Sequence, residues 1–290
     1  MADSDLRPMS TSQLLDRTFQ LYFRNFSLLA GIAAPVAGLG LIGRMAFNSG
    51  PGIGTWADTL LISLGELVMS VLTGAITSGA TVYAVSAIHL GRNISISEIY
   101  SRLWVSLGSI LRALLVINFR ALWLFGLAFA IAGPAEIGSI VLPLIGLVAG
   151  IAGIPVAIIT YLTYALTVPV CAVERLPARQ ALLRSKFLTE SSLGRIFLIN
   201  LLAGAILAMV SQALKLPTFL FDHFGYHLTT IFPAGLWNNL AQFLAETLAG
   251  PVAAIAIVLL YYDQRVRKEA FDLQLMIESL AEPAMTKVSV

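Results

Sequence analysis

Charge is scarce in this chain: Asp, Glu, Lys and Arg make up 12% of its 290 residues, against roughly a quarter in soluble proteins. That shortage excludes an ordinary water-soluble domain, and 58% hydrophobic content with a mean hydropathy of +0.85 points to a bilayer. Cysteine is nearly absent. The single Cys171 excludes an intramolecular disulfide and a multi-cysteine metal site, and beside Pro169 it reads as a small core residue. The short segments of alternating polarity that a β-barrel requires are missing. Also missing are a Gly-x-Ser-x-Gly elbow, a Walker loop and a dinucleotide fingerprint, so no motif marks an enzyme and none calls for a cofactor. The first apolar run begins only after Phe26, without a basic n-region directly before it, so it is expected to be retained as a span.

What the chain does have is a series of apolar runs near or above the ~20 residues that cross a hydrocarbon core of about 30 Å as helices. We therefore expect an all-α integral membrane protein, a single membrane domain over 1–290. Its six transmembrane helices are predicted at about 27–47, 56–89, 109–132, 140–172, 193–214 and 236–262. The first should bend or break near Pro35, and the fourth carries Gly146 and Gly150 at the spacing that lets helices approach closely.

Amphipathic elbow helices are predicted at 10–26, 96–107, 177–190 and 263–281. In the first, Ser10 or Ser12 can cap a helix whose apolar stripe is Leu15, Phe19, Tyr22 and Phe26. In the second, Ser95 and Glu98 have capping-box spacing, and Gly108 is expected to mark the bend into the membrane. In the third, Pro177 suits a first turn, where its missing N–H has no partner to lose. The segments Gln13–Arg17, Glu98–Arg102 and Gln180–Arg184 recur at near-equal intervals, which suggests a threefold internal repeat of one surface helix plus two spans.

Basic residues fall on one side of this arrangement. Arg7, Arg17 and Arg24, then Arg92 and Arg102, then Arg175, Arg179, Arg184, Lys186 and Arg195, then Arg265, Arg267 and Lys268 all flank elbows, while the other side offers only Arg44 and Lys215. The positive-inside rule then makes the elbow side and both termini cytoplasmic, in a cell (inner) membrane. Arg179, Arg184, Lys186, Arg265, Arg267 and Lys268 are expected to meet anionic lipid headgroups; nucleic acid is not needed to explain them.

Three ionisable residues lie about ten positions inside apolar runs, at a depth of about 15 Å: Glu66, Arg120 and Glu246. A charge at that depth costs roughly 2.5–3.5 kcal/mol on insertion scales and calls for a partner or a wet cavity. Ser63, Glu66, Ser70, Thr73 and Thr77 share one helix face, as do Asn239, Gln242 and Glu246. Two readings follow: Arg120 bridges the two glutamates structurally, or the residues line a polar seam between spans two, three and six. Asp222, His223 and His227 make a weak metal-like group that an interfacial aromatic loop explains, so no metal is expected.

Three stretches carry a resemblance: Leu6–Phe26, Val168–Glu174 continuing to Ala181–Ser185, and Tyr261-Tyr-Asp-Gln-Arg-Val-Arg-Lys-Glu-Ala-Phe-Asp-Leu273. Over nearly the whole chain they resemble the bacterial and archaeal family called the glycerophosphoryl diester phosphodiesterase membrane domain. That resemblance implies a membrane module without the catalytic barrel, and no catalytic residues carry over. The expectation is a non-enzymatic multi-pass protein, a scaffold or accessory to a membrane-associated partner; the alternative is a transporter or lipid-handling protein that uses the polar seam.

Overall fold

The computed structural model describes residues 9–48, 56–89, 94–132, 141–190, 192–223 and 236–269. Among these the elements are α1 (Thr11–Arg24), α2 (Phe26–Asn48), α3 (Trp56–His89), α4 (Ile96–Ala132), α5 (Val141–Thr163), α6 (Thr167–Val173), α7 (Ala178–Thr189), α8 (Leu193–His223) and α9 (Leu236–Glu269), with no strand. Six stretches are long and apolar enough to cross a membrane: α2, α3, α4, α5 with α6, α8 and α9. The protein is an all-α multi-pass membrane protein.

Helix α9 is the centre of the bundle. Over its most apolar window 56% of residues are buried, against 11% for α3 and α4, and it packs on α1, α2, α3, α7 and α8. Its lower half contributes Ile255, Leu259 and Tyr261, all fully buried, to a core shared with Leu14, Ile99 and Ile196. Outward-facing Leu144, Leu147 and Ile151 on α5 stay exposed, as suits side chains whose solvent is lipid. Six crossings bring the chain back to the face where it began: the Met9 N–H donates to the Asp263 carboxylate at 2.7 Å.

Helix α1 starts at a full capping box. Ser10 Oγ accepts from the Gln13 N–H at 3.2 Å and the Gln13 side chain accepts from the Ser10 N–H at 2.8 Å. Its buried stripe is Leu14, Thr18 and Tyr22: Tyr22 is buried as expected, Leu14 and Thr18 take the places expected of Leu15 and Phe19, and Phe26 is exposed. Thr18 can turn inward because its hydroxyl donates to the Leu14 carbonyl at 2.8 Å, and Tyr22 because its hydroxyl donates to the Leu248 carbonyl of α9 at 2.5 Å.

Three boundaries differ from expectation. Helix α4 runs without a break through Gly108, so the predicted surface helix 96–107 and the span after it are one element. A single glycine costs only about 1 kcal/mol within a helix and does not end it. Helix α2 likewise continues through Pro35. The fourth span, by contrast, does break, between α5 and α6. Pro169 has no N–H to give the Ala165 carbonyl and its ring crowds that oxygen, so the preceding turn tightens and Thr167 N–H bonds Tyr164 at 3.1 Å. The Thr163 carbonyl released by this shift accepts from Ser185 Oγ at 3.2 Å and Thr189 Oγ1 at 2.9 Å, both on α7. Helix α6 then ends at Val173 with Glu174 as its C-cap, and Arg175 after it takes a left-handed φ of 52°, two residues before Pro177. Pro177 itself is the N-cap of α7, one position outside the expected first turn. Beyond Glu269 the predicted helix 263–281 lies outside the described residues.

Close packing at two glycines joins α4 to α5. A Cβ on Gly146 would sit 2.8 Å from the Ala132 Cβ and 2.9 Å from the Ala128 carbonyl oxygen, and one on Gly153 would sit 3.0 Å from the Phe125 ring. Gly146→Leu should therefore destabilise the protein by about 1–3 kcal/mol through overpacking. The same change at Gly204, where the space is open, should be neutral; thermal unfolding in one detergent compares the two.

Candidate functional site

Two polar clusters survive inside this apolar bundle. One sits at the elbow face and is built from the closing Tyr-Tyr-Asp stretch of α9. Asp263, with its side chain wholly buried, accepts from Arg195 Nη1 at 2.6 Å and from Arg267 Nε at 2.8 Å. Both guanidiniums also donate to the Met9 carbonyl, at 2.8 and 2.7 Å, so a single carboxylate ties α8, α9 and the strand of chain entering α1. Next to it, Glu174 accepts from Tyr261 Oη at 2.9 Å and from Arg184 Nε at 3.1 Å. Arg184 also pairs with Glu269, and Arg265 donates to Glu269 at 3.3 Å. Burial works against the charge on Arg184, but Glu269 and Glu174 outweigh it and hold its pKa above the ordinary arginine value.

This cluster changes the role of the surface bases. Arg184, Arg265 and Arg267 spend their charge on carboxylates within the protein, and Lys268 Nζ donates to the Phe187 carbonyl. Only Arg179 and Lys186 among the six expected headgroup contacts remain exposed without such a bond. The cluster is a clamp that joins elements.

The second cluster lies inside the span region, toward the opposite face. Helix α3 presents Glu66, Ser70, Thr73 and Thr77 on one side, as helical spacing requires, and that side faces a cavity of about 440 Å³ closed by α2 and α9. Glu246 enters from α9 and Arg44 from α2. Arg44 Nη1 donates to Glu246 Oε1 at 3.0 Å and Nη2 to Oε2 at 3.3 Å, a forked pair that leaves the Nε buried without an acceptor. Gly40 lies beside the pair: a Cβ there would sit in ordinary contact, 3.5 Å from Arg44 Nη1 and 3.7 Å from Glu246 Oε2. Gln242 donates to Glu246 at 3.0 Å and joins Ser211 of α8 at 3.1 Å, which extends the cluster across three helices.

Glu66 also lines this cavity, and it is exposed with no hydrogen bond or ion pair among the described residues. The hydroxyl protons near it are spent locally: Ser70 donates to the Leu67 carbonyl at 2.9 Å and Thr73 to the Met69 carbonyl at 2.8 Å. Toward the elbow face the cavity adjoins a groove of about 430 Å³ between α3, α4, α6 and α9. Ser70, Gly74, Thr77 and Gly250 line both, and a Cβ on Gly74 or Gly250 would meet nothing within 4 Å. Beyond these glycines the groove walls are Val71, Val82, Leu114 and Ile257.

The seam thus unites Glu66, Glu246 and Gln242 but not Arg120. Arg120 donates to the Tyr164 hydroxyl at 2.8 Å and lies over that ring at 5.7 Å, between α4 and α5, so it bridges neither glutamate. The seam runs between spans one, two and six, in place of two, three and six. Asn239 is half-buried on α9, one helical turn before Gln242. Arg44 was overlooked because it stands five residues from a turn and reads as a flank; the signal for it was its position inside an apolar run, four residues after Gly40. The Asp222, His223, His227 group extends outside the described residues, and among those described no three His, Cys, Asp or Glu converge as metal ligands do. The chain matches no protein-family model, no curated protein and no solved structure.

Because Asp263 is fully buried between two guanidiniums, Asp263→Ala leaves Arg195 uncompensated and should cost about 3–5 kcal/mol. Glu98→Gln, which breaks only the exposed pair with Arg102, should cost about 0.5 kcal/mol or less. Thermal unfolding of the two purified variants measures the contrast.

Proposed function

We propose that this is a non-enzymatic membrane protein that takes an amphiphile from the bilayer into the cavity between α2, α3 and α9. The observation that carries the reading is Glu66: a carboxylate within the apolar region, without a partner among the described residues, facing a cavity that continues into a mostly apolar groove. A purely structural charge would be spent on a neighbour, as Glu246 is on Arg44. Concave, mostly apolar sites with a few convergent polar groups are where small ligands bind, and both spaces here are of that size.

The elbow face is cytoplasmic in this proposal, in a cell (inner) membrane, because that is where the bases concentrate. The resemblance to the glycerophosphoryl diester phosphodiesterase membrane domain family supports the same picture, a membrane module acting without hydrolysis. A second reading, a scaffold for a membrane-associated partner, draws on the clamp of Asp263 and Glu174, which makes the elbow face a fixed platform with Arg179 and Lys186 outermost.

Gly74→Leu together with Gly250→Leu separates the two. Both changes fill open space and leave the elbow face untouched. Amphiphile handling is expected to fail in the double variant, read as loss of co-purifying lipid by native mass spectrometry, while a scaffold would keep wild-type behaviour. Orientation has its own check: a cysteine at Ser12 in a Cys171→Ser background should react with an impermeant maleimide from the cytoplasmic side only.

A further inference from the structure

We infer, on the reading that the cavity takes an amphiphile, that the amphiphile it prefers carries an ammonium group. The ammonium pairs with Glu66 while the hydrocarbon chain lies in the groove past Gly74 and Gly250.

Three observations lead to this class. First, the ionisable groups lining the cavity are Arg44, Glu66 and Glu246, and the first and last neutralise each other in a forked pair. Gln242 adds a further donor to Glu246, so that carboxylate is satisfied and the formal charge left over is the single negative charge of Glu66. Second, no cation among the described residues pairs with Glu66: the other base deep in the spans, Arg120, donates to the Tyr164 hydroxyl. Third, the hydroxyls that flank Glu66 have given their protons to backbone carbonyls, so Ser70 and Thr73 offer oxygen lone pairs and no donors.

Apart from the Thr77 hydroxyl and the buried Arg44 Nε, the polar groups lining the site offer acceptors and one negative charge, which suits a cation or an N–H donor. It repels a phosphate or carboxylate, for which the one guanidinium present is already occupied. The apolar surroundings strengthen this choice, since charge interactions grow as the effective dielectric falls. The groove adds the second half of the ligand. It begins at the two glycines and is walled by Val71, Val82, Leu114 and Ile257, so a bare metal ion or a small amine would leave it unfilled.

The test uses the full chain in nanodiscs of neutral lipid, with three probes of equal chain length: dodecyltrimethylammonium, dodecyl phosphate and dodecyl maltoside. We expect the ammonium probe to bind about tenfold or more tighter than either of the others. Glu66→Gln should remove that preference while leaving thermal unfolding unchanged; Glu66→Asp should keep most of it. Gly74→Leu should abolish binding of all three probes. Equal binding of the probes to the wild-type chain, or a preference that persists in Glu66→Gln, would overturn the ammonium assignment and leave the amphiphile reading standing. Failure of all three probes to bind, or binding indifferent to Gly74→Leu, would overturn both.

Discussion

The ion pair between Arg44 and Glu246 decides what the inside of this bundle can do, because it settles which charge is left over. Each member sits on a helix that would be more stable in lipid without it, and the cost of the pair is recovered only by close, two-point contact. That contact draws Gln242 and then Ser211 into the same network. Helix α3 meets α2 at Gly43, against Met69, and leaves open space beside the pair. The space that results is the cavity, and Glu66 is its one unspent charge.

The elbow face holds the frame in which that happens. Asp263 and Glu174 gather Arg195, Arg267, Arg184, Arg265 and Tyr261 from three helices, so the elbow ends of α7, α8 and α9 are fixed to one another. Around the gap between α5 and α6 the hydroxyls of Ser185 and Thr189 replace the lost helical donor at Thr163, which keeps an interrupted span compatible with a bilayer. Opposite ends of the bundle thus carry opposite assignments. The elbow end spends most of its charge on internal pairs; the other end keeps a group in reserve.

Much of the architecture was legible from composition and apolar runs, since a bilayer demands helices of a set length and the Lys and Arg pattern orders them. Which helices face each other was not. The stripe of Glu66, Ser70, Thr73 and Thr77 follows from helical spacing alone, but spacing cannot say that α2 and α9 face it in place of α4. Arg120 shows the difficulty: at the right depth for a bridge, it lies between α4 and α5 and satisfies itself with Tyr164. Arg44 shows the converse, because a long side chain near a helix end can turn inward when a distant carboxylate waits there. The broken fourth span was hidden because Pro35 and Pro155 leave their helices continuous while Pro169 follows a break. The difference lies in whether hydroxyls on α7 are placed to receive the released carbonyl.

The central claim is that Glu66 is held without a protein partner so that a ligand can supply one. The most direct measurement is an experimental structure of the full chain in lipid nanodiscs, at a resolution that separates side chains from bound lipid. The account expects non-protein density against the Glu66 carboxylate, continuing past Gly74 and Gly250 into the groove, with Arg44 still paired to Glu246. Helices α2, α3 and α9 closed into a dry contact, with Glu66 bonded to a side chain of the protein, would contradict it.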